Sequence, residues 1–497
     1  MSTQRPPHVT PEPALVTPSG IGIVHLGLGA FHRAHQAVYL QACLNRLGGG
    51  HGDAWGISSA NLRSNRALVD QLRASDCRYR VAEFRDSDHV TLREITAIRE
   101  ALYAGPDGDD RETLLARMSE ANVRIVTLTV TEKGYFLNPA SGELLTDAEP
   151  VRHDITAPHA PHTAPGMLVE ALARRREAGT PAFTVLCCDN MPENGRRTRH
   201  AVVSLARHRD PALAEWIEAK VAFPSSMVDR IVPAMTDADR ERLAQIGVDE
   251  PAAVVGEAFR QWVIEENFPQ GRPDWAADGV EIVDDVTPFE TMKLRLLNGA
   301  HSLLAYVGTL AGLETVDETM AHPAFRTLLE RYWQREAAPT LELPAGTDVE
   351  AYTQRLLARF RNDSLRHRLI QIAMDGSQKL PQRWLAGAEA RLAAGEEAPL
   401  TAFGVAAWIR FTQGTNLAGT PHTISDPLSE TFAALHNRHT DDPAALTQAF
   451  LALDEVFPAG LARDARFRER VTFCLEHLEQ HGVATTIDAI VHDPRES

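Results

Sequence analysis

The stretch FETMKLRLLNGAHSLLAY is apolar for most of its length, yet it carries Glu290, Lys293, Asn298 and His301. At roughly 100° per residue these four fall within about 140° of one helix face. A lysine serves as a general base when burial lowers its pKa. An asparagine amide N–H stabilises an alkoxide as charge develops, and a histidine orients a hydroxyl. Each residue also has a plain structural reading: a snorkelling lysine, a helix-buried amide, a satisfied core histidine. Their coincidence on one face of one apolar helix points to proton transfer at a substrate oxygen.

A second constellation is Gly27-x-Gly29-x-x-His32. It follows the apolar run Ile21–Leu26 and precedes FHRAHQAVYLQACLNRL, which has helical length and no proline. Strand, glycine turn and helix in that order let backbone N–H groups approach a pyrophosphate at a helix N-terminus. The usual third glycine is replaced by His32. An acidic residue that would hold the adenosine ribose is expected at the end of the next strand. There the chain reads Ser58-Ser59-Ala60-Asn61-Leu62-Arg63. Either polar groups such as Asn61 hold the ribose, or Arg63 accommodates a 2′-phosphate, so NAD and NADP both stay open. A third candidate is Cys188-Asp189-Asn190-Met191-Pro192-Glu193-Asn194-Gly195, after a buried strand, where open α/β sheets bind ligands. A fourth is Asp375-Gly-Ser-Gln-Lys379-Leu-Pro-Gln-Arg383, a polar loop that either clamps a substrate or caps a helix. His32-x-x-His35 lacks a third ligand nearby, so no metal is expected.

Elements that position these residues are legible in outline. Val123–Val130 and Pro181–Cys188 read as buried strands, and Gly166–Ala178 as a helix between them. Strands alternating with helices predict a doubly wound, mainly parallel sheet. After about residue 284 the runs Phe289–Gly312, Pro323–Arg335, Val349–Arg361 and Thr401–Gln413 have helical length and pattern. The expected organisation is a loosely attached proline-rich arm over 1–20, a dinucleotide-binding α/β domain over 21–284 and a mainly α-helical domain over 285–497. A chain of 497 residues with 44% hydrophobic and 24% charged residues has enough apolar surface to fold without a disulfide or a metal. Its five cysteines lack CxxC spacing, which fits a reducing, cytoplasmic compartment. The net charge of −17 disfavours nucleic acid and anionic membrane as partners. No apolar run has the length of a membrane span, and the first residues show no signal-peptide pattern.

The blocks IVHLGLGAFHRAHQAVY, TVTEKGYF, FTVLCCDNMPENG, FPSSMVDRIVP, FRQWVIEENF, MKLRLLNGAHS and IAMDGSQKLPQR resemble the long-chain polyol dehydrogenases, the mannitol dehydrogenase family. The resemblance runs from about residue 21 to the end of the chain. It implies a Rossmann-like N-terminal domain, a helical C-terminal domain, no metal, and a protein that works as a monomer in many members. It implies Lys293 as the catalytic lysine, Asn190 and Asn298 as oxyanion-stabilising amides, and His301 as a substrate contact. Asp229 matches a position near the substrate, and Glu290 one that connects the lysine to solvent. The coenzyme contacts would come from Gly27, Leu28, Gly29, Ala30, Phe31 and His32, from Asn61 and Arg63, and from Thr131 and Glu132. Thr131-Glu-Lys133-Gly-Tyr135 and DGSQKLPQR look more like the fructuronate reductase branch than the mannitol branch. That branch needs a cation for a sugar-acid carboxylate, and Lys133, Lys379 and Arg383 are available. The implied activity is NAD-dependent interconversion of D-mannonate and D-fructuronate, with mannitol 2-dehydrogenase or another hexitol or hexuronate dehydrogenase as the alternative.

Overall fold

The computed structural model describes residues 7–48, 50, 53–105, 107–138 and 141–492. They divide into two compact units, 1–287 and 288–497.

The first unit carries twelve strands among its described residues. In chain order they are β1 His8–Glu12, β2 Ile21–Leu26, β3 Gly56–Asn61, β4 Tyr79–Asp86, β5 His89–Ile95 and β6 Ile98–Tyr103. Then come β7 Ile125–Leu128, β8 Thr184–Cys187, β9 Ser226–Asp229, β10 Val254–Glu257, β11 Gln261–Glu265 and β12 Glu281–Val283. Five form an all-parallel sheet in the order β6-β3-β2-β7-β8. Its strands send alternate side chains to two cores, as period-two geometry requires. Val24, Leu26, Ala60, Val126, Leu128, Val185 and Cys187 join one core. Ile23, Ile57, Ile125 and Leu186 join the other. A sheet buried on both faces explains why β7 (IVTL) and β8 (TVLC) read as nearly unbroken apolar runs in the sequence.

Two smaller sheets, β1-β5-β4-β10 and β12-β11-β9, were not legible in the sequence. β4 and β5 pair antiparallel, and both interleave charged with apolar residues (YRVAEFRD, HVTLREI), so neither shows a continuous apolar run. The expected loose arm also needs correction. Residues 1–6 lie outside the described residues, but His8–Glu12 pairs in parallel with β5 and is an edge strand. Pro11 is tolerated there because an edge strand leaves one row of N–H groups unpaired. The single expected helix after the glycine turn is broken at His35 (φ −124°, ψ −82°) into Ala30–Ala34 and Gln36–Leu47.

The second unit is helical, and its pattern follows apolar periodicity. Pro399–Phe411 is buried along its whole length and packs against the long helix Ala465–Val491, which bends at Gly482 (φ 76°). The run Phe289–Gly312 is not one regular helix. It is α over Thr287–Met292, a π-helix over Lys293–Asn298, and α again over Gly299–Leu310. The polar loop expected at 375–383 is helical: Gly376–Leu380 continues into a π-turn at Pro381–Leu385. Its start is fixed by Asp426, which accepts from the Ser377 N–H at 2.9 Å and the Ser377 hydroxyl at 2.6 Å. Among the described residues no helix is long and apolar enough to cross a membrane.

Candidate active site

In the first unit, β2 ends at Leu26 and the chain turns at Gly27, whose φ is +110°. A Cβ there would lie 2.1 Å from the Thr129 carbonyl oxygen, so β2 and the end of β7 approach as only glycine allows. Gly29 differs: a Cβ would meet nothing nearer than 3.8 Å, so its small size leaves open space in front of the turn. That space is a cavity of about 700 Å³ lined in part by Gly27, Gly29, Asn61, Arg63, Thr131 and Lys133. Asn61 closes β3 and is 8% exposed, and its amide nitrogen has no hydrogen-bond partner among the described residues. The Arg63 side chain is exposed at the same rim. The same cavity is lined by the start of helix Ala164–Ala178, capped by Thr163, a contributor that the sequence reading missed. A Thr cap before an apolar helix was its only sequence signal.

Not every expected coenzyme residue faces this cavity. Leu28 is fully buried in the core, so only its backbone is offered. His32 is also fully buried, stacked flat on His25 at 3.4 Å between ring centroids. Phe31 stacks on His35 at 4.9 Å, and exposed Glu132 lies 3.6 Å from Arg197. His25 braces the turn: its Nε2 lies 2.9 Å from the Gly27 carbonyl and 2.9 Å from the Thr129 hydroxyl, and its Nδ1 2.7 Å from the Thr127 hydroxyl. His35 Nε2 is engaged by the Gln261 carbonyl at 2.9 Å. Among the described residues no group of three or more His, Cys, Asp or Glu is placed to hold a metal ion.

Burial pulls both His25 and His35 down to about 3 and pushes His32 in the same direction. An unfolded histidine takes its proton near pH 6.5, so below that pH the unfolded chain binds more protons than the folded one. Stability therefore falls as the pH drops from 6.5 toward 3. At pH 5 the loss is about 2 kcal/mol for each of the two rings. The unfolding midpoint is expected to drop between pH 7 and pH 5, and to drop less in a His35→Gln variant. Equal slopes in the two proteins would mean that His35 is not held neutral.

The loop after β7 is set by Asp189, to which the sequence reading assigned no role. Its carboxylate accepts from the N–H groups of Val130 at 3.0 Å and Thr131 at 2.8 Å, and from the Tyr135 hydroxyl at 2.6 Å. These bonds hold Thr131 at φ +69°, a backbone conformation that costs energy in a β-branched residue and persists only when its surroundings impose it. Lys133 is exposed in the same loop and lines the cavity of the glycine turn. Asn190 follows β8 and is exposed, whereas Asp229 ends β9 and is buried. The loop after β8 is clipped to the start of β9. The Asn194 amide donates to the carbonyls of Asp189 and Ser226 at 3.0 and 2.7 Å and accepts from Ser226 N–H at 2.9 Å.

In the second unit Lys293 and His301 are buried, at 7% and 8% exposure, and Asn298 and Glu290 are half-buried. The His301 ring lies 4.7 Å from Phe360 and 5.3 Å from His367. Burial, then His367, Arg359 and Arg383, push His301 well below its usual range, so it is a neutral imidazole. Arg359, Phe360 and His367 had no signal in the sequence, because only folding brings them to the helix. Lys379 is half-buried, donates to the Met374 carbonyl, and lies 3.4 Å from the Ile372 carbonyl. Arg383, expected at the substrate, is anchored to the polar helix through one nitrogen. Its Nη1 donates to the Ser302 hydroxyl at 2.8 Å and to the Asn298 carbonyl at 3.3 Å.

The Rossmann-domain model of mannitol dehydrogenase matches residues 21–277, and the C-terminal-domain model matches residues 285–479. An uncharacterised oxidoreductase of Escherichia coli (strain K12), YdfI, is 46% identical over 466 residues, 94% of each chain. D-mannonate oxidoreductase of the same organism is 45% identical over 471 residues, 94% of this chain and 95% of the relative. Among solved structures, the mannitol 2-dehydrogenase of Pseudomonas fluorescens, in ternary complex with NAD and D-mannitol, is 36% identical. It superposes with a TM-score of 0.79 over 97% of each chain. Both domain models together span most of the chain, and the chain belongs to the mannitol dehydrogenase family as one of its oxidoreductases.

Proposed function

We propose that the protein is an NAD-dependent secondary alcohol dehydrogenase that interconverts D-mannonate and D-fructuronate. The observation that carries the reaction type is the helix on which Lys293, Asn298 and His301 stand together, with Lys293 buried. NAD fits the first unit on this chain's own geometry: open space in front of Gly29, an unpartnered amide on Asn61, and the cavity they share. Gly27, Leu28, Gly29 and Ala30 would offer backbone to the pyrophosphate, Asn61 the ribose contact, and Thr131 the edge of the loop. Bound there, NAD supplies the hydride acceptor for oxidation, and its reduced form the donor for reduction.

The protein's own part is proton handling and charge stabilisation. Lys293 takes the hydroxyl proton as the alcohol is oxidised and returns it on reduction. The amide of Asn298 donates to the oxygen as it gains negative charge, and Asn190 is the first unit's candidate for the same role. Neutral His301 donates to or accepts from a substrate hydroxyl, and Glu290, one turn before Lys293, passes its proton to solvent. Asp229 is the first unit's candidate for a further hydroxyl. The chemistry uses no metal.

The choice of a sugar acid rests on the 45% identity to D-mannonate oxidoreductase, against 36–37% for the mannitol dehydrogenases compared. Lys379, in the same unit as Lys293, is the first choice for the carboxylate contact. Lys133, which lines the nucleotide cavity, is second. In a protein of net charge −17 the long-range field does not favour an anion, so a close cation must hold it. One charge-assisted hydrogen bond is worth roughly 1.5–3 kcal/mol, or about ten- to a hundredfold in kcat/KM. Initial rates with fructuronate, tagaturonate, fructose and mannitol, each with both coenzymes, test this. Fructuronate with NADH is expected to exceed fructose by that factor, and Lys379→Met to erase the difference. Equal efficiency on the two ketones would replace this reading with mannitol 2-dehydrogenase, which the likeness to the Pseudomonas fluorescens enzyme favours.

A further inference from the structure

The segment that carries Lys293 and Asn298 is wound as a π-helix. The Gly299 N–H reaches back five residues to the Leu294 carbonyl and also three to the Leu296 carbonyl, passing over Arg295. In a continuous α-helix that N–H would serve Arg295, four residues back. The Tyr332 hydroxyl instead donates to the Arg295 carbonyl, at 3.0 Å. The next residue, Trp333, donates its indole N–H to the next carbonyl, Leu296, at 2.9 Å. The same pairing of neighbours recurs three residues on. Arg383 donates to the Asn298 carbonyl at 3.3 Å, and Trp384 to the Gly299 carbonyl at 3.0 Å. Trp333 opens a second π-turn, Trp333–Ala337, and Arg383 and Trp384 lie within a third, Pro381–Leu385. Gly299 makes room for this arrangement: a Cβ there would lie 2.4 Å from the Tyr332 hydroxyl oxygen.

Wide turns are rare and need outside support, because they break the i→i+4 ladder. Here they change which side chains share a face. An i→i+5 turn winds each residue by roughly 87°, against ~100° in an α-helix. Over the five steps from Lys293 to Asn298, the angle between them falls from about 140° to about 75°. His301, three α-helical steps further, comes to within about 15° of Lys293 in place of about 80°. Straightened into a regular α-helix, the same sequence would spread the three groups over nearly twice the arc.

We propose that Tyr332, Trp333, Arg383 and Trp384 form a hydrogen-bonded clamp that holds Lys293–Asn298 in its π-turn, and that this turn gathers Lys293, Asn298 and His301 onto one narrow face. The importance of that gathering rests on the roles proposed above for those three residues. Tyr332 is the central positioning residue, because its hydroxyl serves the carbonyl that the turn deprives of the Gly299 N–H. Arg383 acts through the same helix, on Asn298 and Ser302.

Tyr332→Phe keeps the ring and removes the hydroxyl. It is expected to lower kcat by about ten- to a hundredfold, the size of effect of misplacing a reacting group by about 1 Å. It should also shift the pH midpoint of kcat, while the unfolding midpoint stays near that of the parent and NADH binds as before. Gly299→Ala should mimic it by pushing the hydroxyl away. In the Tyr332→Phe background the added methyl should cost much less, so the two effects are not additive. Hydrogen exchange gives a readout independent of turnover: the Gly299 amide should exchange faster in Tyr332→Phe. Parent-like kcat, pH profile and Gly299 exchange in Tyr332→Phe, alongside an inactive Lys293→Ala, would overturn the clamp. If Lys293→Ala itself stays active, the catalytic roles fail instead. Amide exchange then decides the clamp alone: faster exchange supports it and unchanged exchange overturns it.

Discussion

Lys293→Ala is expected to lower turnover by about 10²–10⁴-fold in both directions, the usual cost of removing a general base. NADH affinity should not change, because the glycine turn and Asn61 belong to the first unit and do not involve the lysine. The argument starts from burial. Lys293 is 7% exposed on a segment whose other buried neighbours, Leu296 and Leu297, are apolar, and a buried site disfavours a charged amine. An amine that must accept a proton from an alcohol and release it again needs such a site. Alanine leaves a gap where the amine stood, so small primary amines in the buffer should restore part of the rate. The pH profile of the variant should lose the limb that reports the base. A variant that turns over at the parental rate would remove Lys293 from the mechanism, whatever the substrate proves to be.

The second large effect concerns stability. Glu83, on β4, is 2% exposed and faces three arginines. Its carboxylate lies 2.7 Å from Arg230, 2.6 Å from Arg93 and 3.5 Å from Arg260. Burial alone would raise its pKa, but Arg230, Arg93 and Arg260 together outweigh that and hold it below the ordinary carboxylate range. The Arg230 side chain is itself fully buried and also donates to the carbonyls of Ala34 and Glu257. Removing one partner of a buried ion pair costs about 3–5 kcal/mol, because the charges left behind have lost their compensation. Glu83→Ala should therefore lose about that much unfolding free energy in urea. Glu83→Gln, which keeps the shape and loses the charge, should lose a large part of it. A loss within about 0.5 kcal/mol, the range of a surface substitution, would mean that the three arginines find other partners when the carboxylate is gone. The lowered pKa adds a sign: this contribution is present above the unfolded glutamate pKa and is lost as the pH falls below it.

The parts of the active site that the sequence revealed are those written in local code. Gly27 and Gly29 after an apolar strand mark the nucleotide turn, since a strand buried on both faces is a continuous apolar run and the turn needs a positive φ at its first glycine. The polar face of the Lys293 helix is legible because most of the residues around it are apolar. Less legible were residues whose role depends on distant partners. Asp189 is one acid in a polar turn until it meets Val130, Thr131 and Tyr135. Arg383 reads as a free cation beside Lys379, yet it reaches across 81 and 85 positions to Ser302 and Asn298. His32 sits where the fingerprint places a coenzyme contact, but its ring is stacked beneath the turn on His25.

The amino-acid sequence alone determined the parallel sheet, the helical second half, the glycine turn and the identity of the lysine, the asparagine and the histidine on one helix. These follow from periodicity, backbone freedom and residue chemistry over a few neighbouring positions. Tertiary structure alone decided how that helix is wound. No residue between Lys293 and Asn298 encodes an i→i+5 turn. The carbonyls of Arg295 and Leu296 accept from Tyr332 and Trp333, and those of Asn298 and Gly299 from Arg383 and Trp384, partners 37 and 85 positions away. Tertiary structure also decided that Glu83, one charge in an alternating strand, would neutralise arginines from three other parts of the chain. A local pattern states what a segment prefers in isolation, whereas buried donors and charges are satisfied only by whatever the completed fold brings to them.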